Sequence, residues 1–155
     1  SLLRNKSSVS SLKELTDGSF QQIIIDQADL VAEEVQRLVL CSGKIYFELN
    51  DRRTQKQIKN IAIVRIEQLY PFPVKQYNEI IKKYPNLKEV VWCQEEPKNQ
   101  GAWYQIRHRL QYEITDQKLI YSGRASAAAP AVGVFKIHNN QQKVIINKAL
   151  KYNIN

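Results

Sequence analysis

Short apolar runs alternate with longer amphipathic stretches along most of the chain, and this alternation restricts the possible folds more than any other feature. Each run is rich in β-branched residues and stops where helical spacing begins. Such strand–helix units build an α/β fold with a mainly parallel sheet and helices on both faces. Right-handed crossovers are expected between them. The predicted strands are residues 22–25, 37–41, 61–65, 89–93 and 118–121.

Helices are predicted between and after these strands. In the predicted helix at residues 74–84, apolar side chains recur on one helical face. Pro73 suits its first turn, because the missing N–H would be unpaired there anyway, and Pro85 helps to end it. The predicted helices are residues 44–55, 74–84, 102–112 and 139–151.

The chain has 155 residues, which corresponds to one domain. Residues 1–20 are polar and serine-rich with scattered leucines, so we interpret them as a strap or linker that needs another surface to pack against. Residues 21–155 form the predicted folded domain. The sequence contains no repeat and no glycine-rich phosphate loop.

The net charge of +8 favours acidic partners such as nucleic acid, an anionic membrane or a phosphorylated ligand. The basic residues are nevertheless spread over helix surfaces and helix ends, where solvated faces are expected. No basic strand interleaved with aromatic residues is present, so we expect no nucleic acid partner. No apolar run is long enough to span a bilayer and no secretory signal is visible, so we expect no membrane partner.

The two cysteines, Cys41 and Cys93, each end an apolar strand. They could be nucleophiles, but the histidines, His108 and His138, fall in or near helical segments. Buried free thiols are the preferred interpretation. Unpaired cysteines in a chain without a signal favour a reducing compartment.

Ligands of open parallel sheets bind where strands end and helices begin. The corresponding segments here are 41–44, 67–73, 93–103 and 122–126. If the strands ending near residues 41, 65 and 93 are parallel neighbours, these segments share one edge of the sheet.

An anion site is one interpretation of Ser42, Gly43 and Lys44. Ser42 can cap the following helix, Gly43 permits close approach of another backbone, and Lys44 adds a positive charge. A carboxylate or phosphate could then bind at the helix N-terminus. The alternative is an ordinary capped turn.

Glu95 and Glu96 place two carboxylates side by side after a strand. Carboxylates that share a pocket can separate their pKa values and act as acid and base. Neighbours in a loop usually point apart, however, so a salt bridge or an interface contact is the preferred role.

Asn99 and Gln100 belong to a turn that places Trp103 at a helix start, either as a core anchor or as an interface anchor. Arg124 lies in a segment of small residues that lets another backbone approach. Its guanidinium could bind a carboxylate or phosphate, and an anion between Arg124 and residues 42–44 is a second hypothesis. A tightly packed loop or a subunit contact are the alternatives.

No nucleophile–base pair, metal cluster or phosphate loop stands out in the sequence. This absence favours an accessory or interface domain of a larger enzyme.

Seven short strings of residues, which occur in one order along the chain, carry more information than the pattern of strands and helices. Together they closely resemble the C-terminal domain of the thiamine-diphosphate-dependent component of the 2-oxoglutarate dehydrogenase complex, over nearly the whole chain. The strings are LLRNKSSVSS at 2–11, CSGKIY at 41–46, AIVRIEQLYPFP at 62–73, WCQEEP and NQGAW within 92–103, and GRAS and PAVG within 123–133.

The resemblance implies a transketolase C-terminal-like fold for residues 21–155 and a homodimeric parent enzyme. That parent would decarboxylate 2-oxoglutarate on thiamine diphosphate with Mg²⁺ and pass the succinyl group to the lipoyl arm of dihydrolipoyl succinyltransferase. The cofactor, the metal and the catalytic residues would lie in the preceding domains of the same chain. The resemblance therefore implies no catalytic, cofactor-binding or metal-binding residue here, and no activity of the isolated chain.

The resemblance also suggests a role for the unusual segments. Residues 94–103 and 123–133 would be packing surfaces for the preceding domains or for the second subunit. Some family members respond to adenine nucleotides or acyl-CoA, so a regulatory role is open. A related enzyme acting on 2-oxoadipate or pyruvate is the main alternative. The expected compartment is a bacterial cytoplasm, or the mitochondrial matrix if the source is eukaryotic.

Overall fold

A computed structural model describes residues 8–151 of the chain. Residues 1–7, which belong to the predicted strap and to the first resembling string, lie outside the described part. Helix α1, Leu12–Thr16, begins with a capping box in which Ser11 and Glu14 bond each other's backbone N–H. The apolar side chains of Val9, Leu12 and Phe20 are exposed. The strap therefore offers apolar surface that nothing in residues 8–151 covers, and its boundary at residue 20 stays a prediction.

The sheet has five strands in the order β1-β3-β2-β4-β5. Every neighbouring pair is parallel except β1 and β3, so an antiparallel strand lies at one edge. The mainly parallel sheet predicted from the alternating pattern is confirmed. The strands are β1 (Ile23–Ile24), β2 (Arg37–Cys41), β3 (Ile61–Ile66), β4 (Glu89–Pro97) and β5 (Lys118–Arg124).

From residue 21 to residue 151, four longer helices and a short turn of 3₁₀-helix, Ala32–Glu34, accompany the sheet. The longer helices are α2 (Ile45–Gln55), α3 (Val74–Lys83), α4 (Trp103–Tyr112) and α5 (Phe135–Ala149). Within residues 8–151, no helix combines the length and apolarity that crossing a membrane would need.

Alternate residues of the central strands bury opposite faces of the sheet. On one face Leu38, Val64 and Trp92 belong to the core cluster that α3 and α4 close. On the other face Val39 and Ile63 belong to the cluster that α2 and α5 close. Central parallel strands are continuously apolar for this reason, and the prediction of helices on both faces is confirmed.

The order of the strands creates a switch point between β2 and β4. The chain leaves β2 through α2 toward β3 on one side, and leaves β4 through α4 toward β5 on the other. The two helices lie on opposite faces, which is consistent with crossovers of a single hand. The loops after β2 and β4 therefore diverge and leave a crevice between them.

Helix α5 begins at Phe135, four residues earlier than the predicted start at 139. The first turn is closed by the His138 amide, which donates to the Val134 carbonyl at 3.0 Å. Phe135 and Ile137 are exposed, so this turn lacks the amphipathic pattern on which the prediction relied. Strands β4 and β5 also extend beyond the predicted ends, to Pro97 and Arg124.

Arg53 is an exception to the expectation that the basic residues lie on solvated helix surfaces. Its side chain is buried and donates to both carboxylate oxygens of Asp26, to the Ile61 carbonyl at 3.2 Å and to Asn50 at 2.8 Å. Asp26 also accepts the Ile63 amide N–H at 2.5 Å. The carboxylate thus occupies the edge of β3 just beyond the short β1, so the ion pair closes this edge of the sheet.

Candidate functional site

The segments singled out in the sequence meet at the carboxyl edge of the sheet. Cys41 is in register with Arg65 on one side and with Cys93 on the other, and Cys93 is in register with Ser122. The expectation that residues 41–44, 67–73, 93–103 and 122–126 share one edge is confirmed. This edge includes the β2/β4 switch point.

Lys44 and Glu95 form an ion pair across the switch point. Lys44 also lies 3.9 Å from Glu48, one turn further along α2. Glu95 therefore has the salt-bridge role preferred from the sequence, whereas Glu96 is exposed and its carboxylate has no partner among residues 8–151. The two neighbouring carboxylates point into different surroundings.

Arg124 joins β5, β4 and α5 through all three nitrogens of its guanidinium. Its Nε donates to Gln141 at 2.9 Å, one Nη donates to Gln142 at 3.1 Å, and the other donates to the Glu95 carbonyl. The His138 ring nitrogen lies 3.4 Å away. The guanidinium therefore binds groups of the protein itself, as expected if Arg124 belongs to a tightly packed loop.

Gln142 continues this network toward α2. Its amide nitrogen donates to Glu95 at 3.1 Å and to Glu48 at 3.3 Å. The structure thus brings Lys44 and Arg124 into one cluster, as the anion hypothesis expects, but the carboxylate of Glu95 lies in it. The anion site at Ser42, Gly43 and Lys44 stays a prediction, and an incoming anion would have to compete with Glu95.

The turn after β2 departs from the predicted cap. Lys44 is the N-cap residue of α2 and no side chain caps the helix, so the expectation for Ser42 is wrong. Gly43 has a φ of 72°, while a Cβ built on it would meet nothing within 4 Å. The glycine is therefore needed for its left-handed conformation and not for close approach.

Gln94 organises the other side of the switch point, and sequence analysis missed it. Its carbonyl oxygen accepts from the Trp92 indole at 2.8 Å and from the Trp103 backbone N–H at 3.0 Å. Its amide nitrogen donates to the carbonyls of Gln100, Glu96 and Pro97 at 2.8 to 3.2 Å. A buried glutamine directly after an apolar strand was the available signal, since buried amides need partners.

Trp103 lies in the core cluster under α4, as its core-anchor interpretation expects. Its ring packs on Tyr121 with centroids 5.1 Å apart. The Tyr121 hydroxyl donates to the Arg124 carbonyl at 3.1 Å, and burial raises the pKa of this phenol to about 12. A contact of Trp103 with another domain stays a prediction.

Asn99 and Gln100 hold the small-residue loop that follows β5. Both side-chain amides donate to the Ala127 carbonyl at 3.0 Å, and the Ala127 N–H donates back to Asn99 at 3.0 Å. The turn at 97–101 and the loop after Arg124 therefore form one continuous surface.

An exposed apolar surface, here called the α5 patch, extends this loop onto the start of α5. Phe135 is 77% exposed, and a groove of about 410 Å³ runs beside the patch between the end of β5 and α5. Between Ala125 and Gln142, Lys136 is the one charged residue in the sequence. Depletion of charge around exposed aromatic and aliphatic groups is typical of an interface core. The α5 patch comprises Val134, Phe135, Ile137 and Val144.

Cys41 and Cys93 are completely buried, as predicted. Burial raises the pKa of both thiols well above the usual range. Thiolate is the reactive form, so neither cysteine is suited to nucleophilic chemistry in the folded chain.

The donor chemistry does not fit a thiamine diphosphate or Mg²⁺ site within residues 8–151. In this part of the chain, no three side chains of His, Cys, Asp or Glu are grouped to hold a metal ion. The polar residues of the carboxyl edge bond mainly to one another. What this arrangement does is fix the shape of the edge and of the surface around it.

Comparison with known proteins gives the same assignment over almost the whole chain. Residues 9–150 match the family described as "2-oxoglutarate dehydrogenase C-terminal". The chain is 48% identical over 150 residues to the 2-oxoglutarate dehydrogenase E1 component of Cupriavidus necator, and 45% identical over 153 residues to that of Haemophilus influenzae. It is 48% identical over 151 residues to the oxoglutarate dehydrogenase of Buchnera aphidicola.

These alignments cover 96%, 98% and 97% of this chain but 16% of each relative. The chain thus spans about one sixth of the length of the curated proteins that it matches. From residue 9 to residue 150, it belongs to the 2-oxoglutarate dehydrogenase C-terminal family.

Proposed function

We propose that the chain is the C-terminal domain of a 2-oxoglutarate dehydrogenase E1 component. The complete polypeptide decarboxylates 2-oxoglutarate and transfers the succinyl group to the lipoyl arm of dihydrolipoyl succinyltransferase, within the tricarboxylic acid cycle. The observation that carries the proposal is the family match over residues 9–150, supported by relatives of that name at 45–48% identity.

The domain contributes packing and not catalysis. Thiamine diphosphate with Mg²⁺ supplies the electron sink for decarboxylation, and we assign its binding to the preceding domains. Residues 8–151 take no part in this chemistry, because their donor groups do not fit the cofactor. What this chain supplies is a rigid carboxyl edge in which Gln94, Glu95 and Arg124 fix three loops relative to one another.

The interface we propose comprises the 97–101 turn, the loop after Arg124 and the α5 patch. It contacts the preceding domains of the same chain or the second subunit of a homodimer. Asn99 and Gln100 shape it through Ala127, and Arg124 fixes its inner side through Glu95. Glu96 is exposed beside it, and Trp103 supports it from the core.

Substrate choice is assigned to the preceding domains. The names of the relatives favour 2-oxoglutarate over 2-oxoadipate. The relatives come from bacteria, which supports a bacterial cytoplasm as the compartment.

The test is a turnover assay of the complete polypeptide with thiamine diphosphate, Mg²⁺ and ferricyanide as electron acceptor. The highest kcat/KM is expected for 2-oxoglutarate, with lower values for 2-oxoadipate and pyruvate. The isolated 155-residue chain, assayed under the same conditions, is expected to give no turnover. Turnover by the isolated chain, or preference for 2-oxoadipate, would contradict the proposal.

A further inference from the structure

A second feature of the switch point is a cleft of about 680 Å³ that the network around Arg124 does not fill. Its floor is the buried Trp92. One wall is formed by the first turns of α4, another by the loop at 69–72, and the third by the turn after β2. The lining residues of this switch-point cleft include Leu69, Tyr70, Phe72, Trp92, Glu96 and Arg109.

The size and the lining of the cleft suit a small organic ligand. Small-molecule sites usually measure about 300–1,000 Å³ and are mostly apolar with a few polar groups. Here Phe72 and Tyr70 supply two aromatic rings and Leu69 adds an aliphatic surface, while the buried Trp92 contributes almost no accessible surface of its own. Flat apolar groups pack well on such rings. The position at a topological switch point is where open α/β sheets bind ligands.

Arg109 gives the cleft an unused positive charge. Its side chain is exposed, and its guanidinium has no ion pair or hydrogen bond among residues 8–151. In contrast, Lys44 and Arg124 at the same edge are engaged with Glu95. A free guanidinium matches a single carboxylate in a bidentate arrangement.

Glu96 limits the charge of the ligand. Its unpaired carboxylate also lines the cleft, so it repels a second negative group. The sequence has no glycine-rich loop that would hold a polyphosphate. A ligand with one carboxylate therefore fits better than a ligand with several negative charges.

We propose that the switch-point cleft binds a small monocarboxylate with a flat apolar body. The carboxylate lies on Arg109, and the body packs against Phe72 and Tyr70. The site goes beyond the proposed function, because no step of the dehydrogenase reaction requires it.

The test uses the 155-residue chain, whose core clusters are both closed by its own helices. The probe is 2-naphthoate, and 2-naphthamide is its neutral analogue. The chain has two tryptophans, so its indole N–H resonances are assigned with Trp92→Phe. Binding of 2-naphthoate is expected to shift the Trp92 resonance, with at least tenfold weaker binding of 2-naphthamide and none of inorganic pyrophosphate.

The decisive variant is Arg109→Ala, with Arg107→Ala as its matched control. Arg107 is exposed on the same helix but lies over the Tyr104 ring, 4.8 Å from its centroid, and does not line the cleft. Arg109→Ala is expected to weaken 2-naphthoate about tenfold and to leave 2-naphthamide unchanged. Arg107→Ala is expected to change neither, and unchanged circular dichroism verifies the fold of both variants.

Equal binding of the naphthoate and the amide would overturn the proposal. Equal effects of the two arginine variants, or shifts centred on the α5 patch, would do the same. Any of these results would leave the proposed function intact, because that function is tested by turnover of the complete polypeptide.

Discussion

Asn99 and Ala127 are joined by two hydrogen bonds of 3.0 Å, one donated by the Asn99 amide and one donated by the Ala127 N–H. The pair is 28 residues apart in the chain and ties the turn after β4 to the loop after β5. Both residues are exposed, so this pair of hydrogen bonds, here called the clamp, shapes a surface and not the core. A surface held in this way is preorganised for binding a partner.

Removing the clamp should loosen the loop without unfolding the domain. In Asn99→Ala, amide hydrogen exchange at Ala127 should accelerate about 30-fold, since a net hydrogen bond contributes about 1 kcal/mol and two are lost. Asn140→Ala is the control, because Asn140 is exposed on α5 and has no side-chain bond among residues 8–151. Equal exchange rates in the two variants would show that the clamp does not order the loop.

Gly101 should be intolerant of a side chain. Its φ is 68°, and a Cβ would lie 3.0 Å from the amide nitrogen of Gln94 and 3.1 Å from Glu96. Gly101→Ala should cost about 1–3 kcal/mol of unfolding free energy in urea, since a left-handed alanine is strained. Gly133→Ala, where a Cβ meets nothing within 4 Å, should be nearly neutral. Similar losses at both positions would contradict this account of the turn.

The buried pair of Asp26 and Arg53 should be costly to break from either side. Arg53→Met and Asp26→Ala should each lower the unfolding free energy by about 3–5 kcal/mol, because each leaves one buried charge without its partner. The double variant should lose less than the sum of the two. Arg52→Met, at the neighbouring position without an ion pair among residues 8–151, is the control and should be nearly silent. Additive losses would show that the two side chains do not stabilise each other.

The buried thiols should make the fold sensitive to alkali. Because burial raises the pKa of Cys41 and Cys93, the folded state binds more protons than the unfolded state once pH exceeds about 8.5. Their stabilising contribution is complete below that pH and is lost progressively above it. Urea unfolding between pH 7 and pH 10 should show this decline, reduced in the double variant Cys41→Ala and Cys93→Ala. An identical decline in that variant would assign it to tyrosine phenols whose pKa is raised by burial, such as the half-buried Tyr121.

The α5 patch should matter only in the complete enzyme. Phe135→Ser should leave the melting temperature of the isolated chain unchanged, because the ring is exposed. In the complete polypeptide it should lower turnover or weaken the dimer in sedimentation. Tyr112→Ser removes an equally exposed ring at the far end of α4 and should do neither. Loss of activity in both variants, or in neither, would remove the α5 patch from the interface.

The sheet and its two faces could be predicted from the sequence because central parallel strands are continuously apolar. Residues 37–41 and 89–93 are runs of this kind, and both are central in the structure. The end of each run also placed the loops of the carboxyl edge correctly. What periodicity cannot show is a helical turn whose apolar side chains face outward, and for that reason the start of α5 was predicted too late.

The details of the site depended on partners distant in the chain. Arg53 looked like one of several solvated cations, although it falls one turn after the buried Leu49 on the inner face of α2. No residue near Arg53 in the sequence indicates that Asp26 is its ion-pair partner. Gln94 likewise finds its partners through the fold of β4 back onto the start of α4. Lys44 and Glu95 were each singled out, but their pairing required the strand order.

The central claim is that the chain is one domain of a much longer enzyme, and the most direct test is the mass of the natural gene product that carries residues 9–150. The account predicts a polypeptide several times longer than 155 residues, because the chain spans 16% of its relatives. A natural product of 155 residues would contradict it and would leave the domain as a free-standing relative whose function lies in binding.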